Sequence, residues 1–307
     1  MEINGVLIDD TYAEAFPTWI CRVIITGVTR GWAEKAALEA TGFATSAIGC
    51  PCEAGIEAYL TGEETPDGRP GVAVLFCVGV RVKKGENADE VVKEKVKHVL
   101  IERIGECILT APTTAVFDGL PQAALRVPVK MNFFGDGFQE RREVGGRKVF
   151  AIPIMGGEYI GEEEFGAVKG IAGGNFFVMG EGQMAALMGA QAAVEAINDV
   201  RNVILPFPGG IVSSGSKVGS NKYKALPAST NELYCPTLKA KVPHSKVPDG
   251  VKAIYEIVID GLDAESIKKA MKVGILAATK VPGVRVISAG NYGGKLGPHQ
   301  FRLHELF

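Results

Sequence analysis

Apolar residues recur along this chain in two rhythms, one matching strands and the other matching helices. The β-branched run Arg22 to Thr26 reads as a strand, and the alanine-rich segment Trp32 to Ala40 repeats its apolar positions at helical spacing. A strand is expected at Ala44 to Cys50. After the turn signal Pro66-Asp67-Gly68, the apolar run Gly71 to Val82 leads into a helix at Asp89 to Glu106, where Val91/Val92, Val96, Val99/Leu100 and Ile104 share one face. Cys107 to Ala111 is expected to close this half as a strand. The second half predicts a strand at Asn175 to Met179, a helix at Gln183 to Asn198 and strands at Asn202 to Leu205 and Lys252 to Asp260. A helix at Asp263 to Thr279 and a strand at Val284 to Ala289 follow. Both halves read βαββαβ.

Residue identities echo the same duplication. Ala36-Ala-Leu-Glu-Ala40, running on to Pro51, matches Ala192-Ala-Val-Glu-Ala196, running on to Pro206, and Pro66-Asp-Gly68 matches Pro248-Asp-Gly250. The expected fold is therefore α+β: duplicated ferredoxin-like (split βαβ) units whose antiparallel sheets are flanked by helices. The duplication places an N-terminal lobe at residues 1–150 and a C-terminal lobe at 151–307. Hairpin strands around Gly135-Asp-Gly137 and Gly145-Gly146 should extend the first lobe.

Composition narrows the partners. The 33 basic and 35 acidic side chains nearly cancel, which leaves no field to hold a nucleic acid or an anionic membrane. The uncharged stretch Asn202 to Ser216 is too short and too rich in proline and glycine to span a bilayer. The acidic start ahead of Arg22 is the reverse of a secretory signal, so a cytoplasmic location is expected. Six scattered cysteines read as reduced thiols, and Cys50-Pro-Cys52 lacks the spacing and partners of a zinc site. No metal is expected.

Several motifs carry chemistry. Gly180-Glu-Gly182-Gln-Met-Ala185 has the dinucleotide-binding pattern, but no acidic residue ends the following strand, so a turn and helix start is the better reading. Ala289-Gly-Asn-Tyr-Gly-Gly-Lys295 lacks the first glycine and the final Ser or Thr of a phosphate-binding loop. The segment Ser213 to Lys222, with Ser214, Lys217 and Lys222, is either a donor-rich loop for an anionic ligand or a solvated linker. Glu256 stands out as a carboxylate inside the apolar strand Ala253-Ile-Tyr-Glu-Ile-Val-Ile259. It either alternates onto a solvent face or is partly buried, where desolvation would raise its pKa into the range useful for proton transfer.

Longer stretches combine into a likeness. Glu64-Thr-Pro-Asp-Gly-Arg-Pro-Gly71, Leu109-Thr-Ala-Pro-Thr-Thr-Ala-Val-Phe117, Gly170-Ile-Ala-Gly-Gly-Asn-Phe-Phe177, Pro206-Phe-Pro-Gly-Gly-Ile-Val212, Ser214-Gly-Ser-Lys-Val-Gly219 and Ala289-Gly-Asn-Tyr-Gly-Gly-Lys-Leu-Gly297 resemble the formylmethanofuran:tetrahydromethanopterin formyltransferases. The resemblance runs from about Asn4 to Phe307. It implies a cytoplasmic enzyme of archaeal one-carbon metabolism, a homotetramer built from dimers, with methanofuran and tetrahydromethanopterin as carrier substrates and no tightly bound cofactor. It further implies direct transfer to N5 of the pterin, with Glu256 as proton relay, Gly209 and Gly210 as oxyanion donors, and Ser213, Ser214, Lys217 and Lys222 around the carriers. Two other readings stand beside it: the formyltransferase subunit of a transferase and hydrolase complex, and a non-catalytic ligand-binding module.

Overall fold

The computed structural model describes residues 1–42, 50–295 and 297–307. The chain is α+β and folds into two compact units, residues 18–170 and residues 1–17 with 171–307. Each carries the same arrangement.

In the first unit, residues 19–26 of the strand Tyr12–Thr26 pair antiparallel with Gly71–Val78 on one side and with Ala115–Asp118 on the other. Glu53–Leu60 pairs outside Gly71–Val78. Helix α1 (Arg30–Gly42) follows the first of these strands and helix α2 (Ala88–Arg103) follows the third. The strand order, second-third-first-fourth, is that of the split βαβ unit. Alternation explains the burial: Val23 and Ile25 join Val72, Val74 and Phe76 against Ala33, Ala36, Ala37, Val92, Val96 and Val99 of the helices, while Ile24 faces the opposite side. Asn87 caps α2, its side chain accepting from the N–H groups of Asp89 and Glu90.

The second unit repeats the order. Residues 171–180 of the strand Glu164–Gly180 pair antiparallel with Ala253–Gly261 and with Val284–Ser288, and Val203–Ile204 pairs outside Ala253–Gly261. Helices α3 (Gln183–Ile197) and α4 (Ala264–Ala278) supply the crossovers. Asp263 caps α4 by accepting from Ser266 N–H at 2.7 Å. Small residues let these helices lie close to the sheet. A Cβ at Gly274 would come within 2.8 Å of Ile197 and 3.0 Å of Phe176.

The structure departs from several expectations. The compact units do not follow the expected lobes at residues 1–150 and 151–307: the strand Val6–Ile8 pairs parallel with Val284–Ser288 and His299–Arg302 pairs with residues 12–15, which ties the N-terminus to the C-terminal unit. Conversely, the strands Arg147–Ile154 and Gly157–Gly161 stay with the first unit through the pairing of Ile160 and Gly161 with Ala115 and Val116. The segment Cys107 to Ala111 forms no strand. α2 instead runs into a π-helical turn at Ile104–Ile108 whose Ile104 and Ile108 are buried, and the closing strand comes later, at Ala115–Asp118. A short apolar run fits either geometry, and here the helix keeps it. The strand expected at Ala44 to Cys50 falls almost entirely on residues outside those described; the second strand observed is Glu53–Leu60. Of the expected hairpin region, Gly145-Gly146 does join the strands Glu140–Val144 and Arg147–Ile154, whereas Gly135 ends the 3-10 turn Met131–Gly135.

Phe176 is fully buried between its sheet and α3 and α4. Phe176→Ala should cost about 3–5 kcal/mol, read as a lowered midpoint in urea with the slope of the transition unchanged.

Candidate active site

The strand Ala253–Gly261 decides where its odd carboxylate goes. Tyr255, Ile257 and Ile259 face α3 and α4 in the main core, so Glu256 must project from the other face. There it is abreast of Phe177, which lies opposite Ser288 on its far side. That face is not left to solvent. The chain from Val212 onward runs beside the strand, Glu256 N–H donating to the Val212 carbonyl at 3.0 Å and Val212 N–H to the Glu256 carbonyl at 2.8 Å. It then arches over the sheet through the hairpin Ser216–Val218/Ala228–Thr230 and the 3-10 turns Glu232–Tyr234 and Pro236–Lys241. Tyr234 anchors the arch: its ring meets that of Phe177 edge-on, centroids 4.8 Å apart, and its hydroxyl meets the Ser288 side chain. Val247 and Val251 complete a small apolar cluster with Phe177, Met179 and Val286.

Beneath the arch is a cavity of about 90 Å³. Phe177, Val212, Ile254 and Tyr234 form its apolar side, Ser213, Ser214, Thr230, Asn231 and Cys235 its polar side, and Glu256 its floor. Among the described residues no cation and no hydrogen-bond donor reaches the Glu256 carboxylate. Burial therefore acts unopposed, and the carboxyl is pushed up from 4.5 to about 7. Glu256 is thus half-buried on the face away from the main core, which matches the partly buried alternative.

The other sequence candidates divide. Ser213 and Ser214 do line the cavity with Glu256. Lys217 does not; its ammonium is paired with Glu232, and that pairing holds the Glu232 carboxyl below its ordinary range. Lys222 lies in the exposed tip of the hairpin, its ammonium 5.3 Å from the centre of the Tyr223 ring. Gly209 and Gly210 lie in the 3-10 turn Pro208–Gly210, outside the cavity lining. Gly210 N–H already donates to the Phe207 carbonyl at 2.8 Å, which removes it as an oxyanion donor. Its positive φ of 75° and its packing against Leu205 and Val194 explain the glycine instead. Sequence reasoning missed Asn231, Tyr234 and Cys235, because Asn231-Glu-Leu-Tyr-Cys-Pro236 has neither period nor catalytic spacing and reaches Glu256 only through the arch.

A larger groove of about 640 Å³ lies in the first unit, lined by Arg126, Arg141, Arg142 and Glu162 among others. Two of its guanidinium groups are paired, Arg126 with Asp118 and Arg142 with both Glu158 and Glu140, and that of Arg141 lies 5.5 Å from the centre of the Phe150 ring. Among the described residues no three His, Cys, Asp or Glu side chains converge as a metal site.

A carboxyl group that titrates near neutrality, set in an apolar recess beside hydroxyl and amide donors, suits acid–base catalysis of group transfer. The comparisons with known proteins give that class its family. Residues 1–154 match the model of the formylmethanofuran-tetrahydromethanopterin formyltransferases, and residues 157–306 match the model of their proximal lobe. The formylmethanofuran–tetrahydromethanopterin formyltransferase of Methanosarcina acetivorans is 58% identical and that of Methanocaldococcus jannaschii 56%, each with 100% of both chains covered. The solved enzyme of Methanosarcina barkeri superposes with a TM-score of 0.93 at 57% identity, again over 100% of both chains. A chain of the formyltransferase/hydrolase complex of Methylorubrum extorquens, solved with methylofuran, gives 0.90 at 40% identity, covering 100% of this chain and 98% of that one. The chain belongs to the formylmethanofuran–tetrahydromethanopterin formyltransferase family and is an N-formyltransferase.

The displaced titration has a sign. Between about pH 4.5 and 7 the native state keeps a proton on Glu256 that an ordinary glutamate would have released, so native stability falls as pH rises across that window and levels off above it. Glu256→Gln lacks this cost. Its Tm relative to the parent should grow steadily between pH 5 and 7.5 in scanning calorimetry; a difference that stays constant with pH would mean that the carboxyl titrates as if in water.

Proposed function

We propose that this chain moves a formyl group directly from formylmethanofuran to N5 of tetrahydromethanopterin, with Glu256 carrying the proton between the two nitrogens. The observation that supports the reading is the position of that carboxyl, on the floor of the cavity with a pKa of about 7. At neutral pH both of its protonation states are populated, which is what one group needs to serve first as base and then as acid.

The attacking N5 forms a bond to the formyl carbon and gives up its proton to the Glu256 carboxylate. The formyl oxygen becomes an oxyanion on a tetrahedral carbon. The bond from that carbon to the methanofuran nitrogen then breaks, the electron pair stays on the departing nitrogen, and Glu256 returns the proton to it. Charge gathers on the oxyanion only in the intermediate, so donors that await it lower the barrier. Ser213, Ser214 and Asn231, on the polar side of the cavity, take the place that the sequence assigned to Gly209 and Gly210. Both products are amines or amides, and no covalent stop on the protein is required.

Family membership sets aside the non-catalytic module. The homotetramer and the cytoplasmic location belong to the proposal; no described helix is long and apolar enough to cross a membrane. A second reading, a subunit of a transferase and hydrolase assembly, is favoured by the Methylorubrum extorquens relative, which was solved within such a complex. Light scattering on the purified chain separates them: a mass about four times 32.5 kDa, with full transfer activity in the absence of other proteins, is expected for the homotetramer.

Glu256→Gln keeps the shape and removes the exchangeable proton. It should lower kcat by roughly 10²-fold or more with KM nearly unchanged. Stopped or steady-state assays of transfer between the two carriers measure this, and an unaltered kcat would take Glu256 out of the mechanism.

A further inference from the structure

The glycine-rich turn after the strand Val284–Ser288, excluded as a phosphate-binding loop, is folded around a carboxylate of its own chain. Glu14 is 3% exposed, and its Oε2 accepts from the N–H groups of Tyr292 and Gly294 at 2.8 and 3.0 Å, while its Oε1 accepts from Gly297 N–H at 2.7 Å. Glu14 N–H in turn donates to the Gly290 carbonyl at 3.2 Å. Such a concave set of N–H groups is normally kept for an external anion; here the anion is built in. Glycine is required at two of the contacts: Gly294 has φ 76°, and a Cβ at Gly297 would stand 2.1 Å from the Ala15 carbonyl oxygen. Asn175 fixes the start of the same turn, its side-chain oxygen accepting from Gly290 N–H at 2.6 Å.

What the turn holds out is Tyr292. The Tyr292 hydroxyl accepts from the N–H of Val218 at 3.3 Å, and Val218 ends the strand Ser216–Val218. That strand follows directly on Ser213, Ser214 and Gly215, and its partner strand Ala228–Thr230 leads into Asn231. Asn231 N–H closes the loop by donating to the Gly215 carbonyl at 2.9 Å. All the polar residues assigned above to the oxyanion thus belong to a hairpin that the turn touches from outside the cavity.

We infer that Glu14 and Tyr292 are positioning residues for formyl transfer: the buried Glu14 carboxylate sets the turn, and through Tyr292 the turn holds the Ser213–Asn231 hairpin at the height over Glu256 where its donors meet the oxyanion. The inference rests on the reading of the Glu256 cavity as the transfer site. A carboxylate suits the task better than an amide, because the described contacts to Tyr292, Gly294 and Gly297 are N–H donors and Gln would turn an N–H of its own toward at least one of them. Misplaced donors lose contact with a charge present only in the transition state, so the loss falls on kcat rather than on KM.

Two variants and their double are compared by Tm, transfer kinetics and hydrogen exchange. Tyr292→Phe deletes one hydroxyl from a half-exposed ring and should leave Tm within about 2 °C, while kcat falls ~5-fold at KM within twofold, as expected for one neutral hydrogen bond. Glu14→Gln should lower kcat further, and Glu14→Gln/Tyr292→Phe should be no worse than Glu14→Gln alone, because both act through one contact. Hydrogen exchange over residues 213–219 should quicken in all three, and this reading is independent of catalysis. Should Glu14→Gln fail to fold, Tyr292→Phe alone decides the matter. Unchanged exchange in Tyr292→Phe, or effects of the two substitutions that multiply in the double variant, would overturn the positioning role. Faster exchange with undiminished kcat would sink the cavity as the place of transfer, and the proposed role in the reaction with it.

Discussion

A carboxylate in mid-strand has only two directions available, and the rest of this molecule follows from which one Glu256 takes. The face toward α3 and α4 is filled by Tyr255, Ile257 and Ile259. Strand alternation sends Glu256 the other way, where an ordinary sheet would give it water. Residues 212–251 cover it in part without supplying a counter-ion. The free energy of holding an unpaired carboxyl in an apolar recess is thus stored as an upward pKa shift rather than removed by a salt bridge, and that shift is what makes the group useful near neutral pH.

The same contrast separates this site from the other buried carboxylates. Glu57 is almost fully buried, but Arg22 meets it with two hydrogen bonds of 2.6 Å. Asp118 is completely buried and meets Arg126 at 2.6 Å. Glu14 is buried against backbone N–H groups. Each of these carboxylates meets a cation or N–H donors. Among the described residues Glu256 has no such partner, and it lines a cavity. The unit around it spends its polar groups on geometry: Asp263 on a helix start, Asp260 on the N–H of Gly173 at 2.9 Å, Asn175 on the turn at Gly290.

Much of this was legible in the sequence, for reasons that can be named. Long periodic segments such as 89–106, 183–198 and 263–279 declare themselves because burying one face of a helix demands a 3.6-residue repeat, and the echo between Ala36 and Ala192 exposes the duplication. Glu256 was visible as a chemical exception in an apolar run. The boundaries were harder to read. Ile104 to Ile108 continue a helix and the N-terminal seventeen residues join the C-terminal unit because of tertiary pairing, which leaves no local mark. The partners of Glu256 were harder still. Asn231, Tyr234 and Cys235 reach the cavity through an aperiodic arch held by one aromatic pair and scattered hydrogen bonds, whereas the conspicuous Lys217 is neutralised by Glu232, fifteen residues on. Sequence shows which residues have chemistry to offer; only the fold shows which have already used it.

Burial, with no positive charge among the described residues to oppose it, raises the Glu256 carboxyl to about 7. Infrared difference spectroscopy of the protein against Glu256→Gln, with isotope-labelled glutamate and recorded from pH 4 to 9, reads that proton directly. A protonated carboxyl band should be present in the parent alone and titrate near pH 7. A band that is already lost by pH 5 would contradict it.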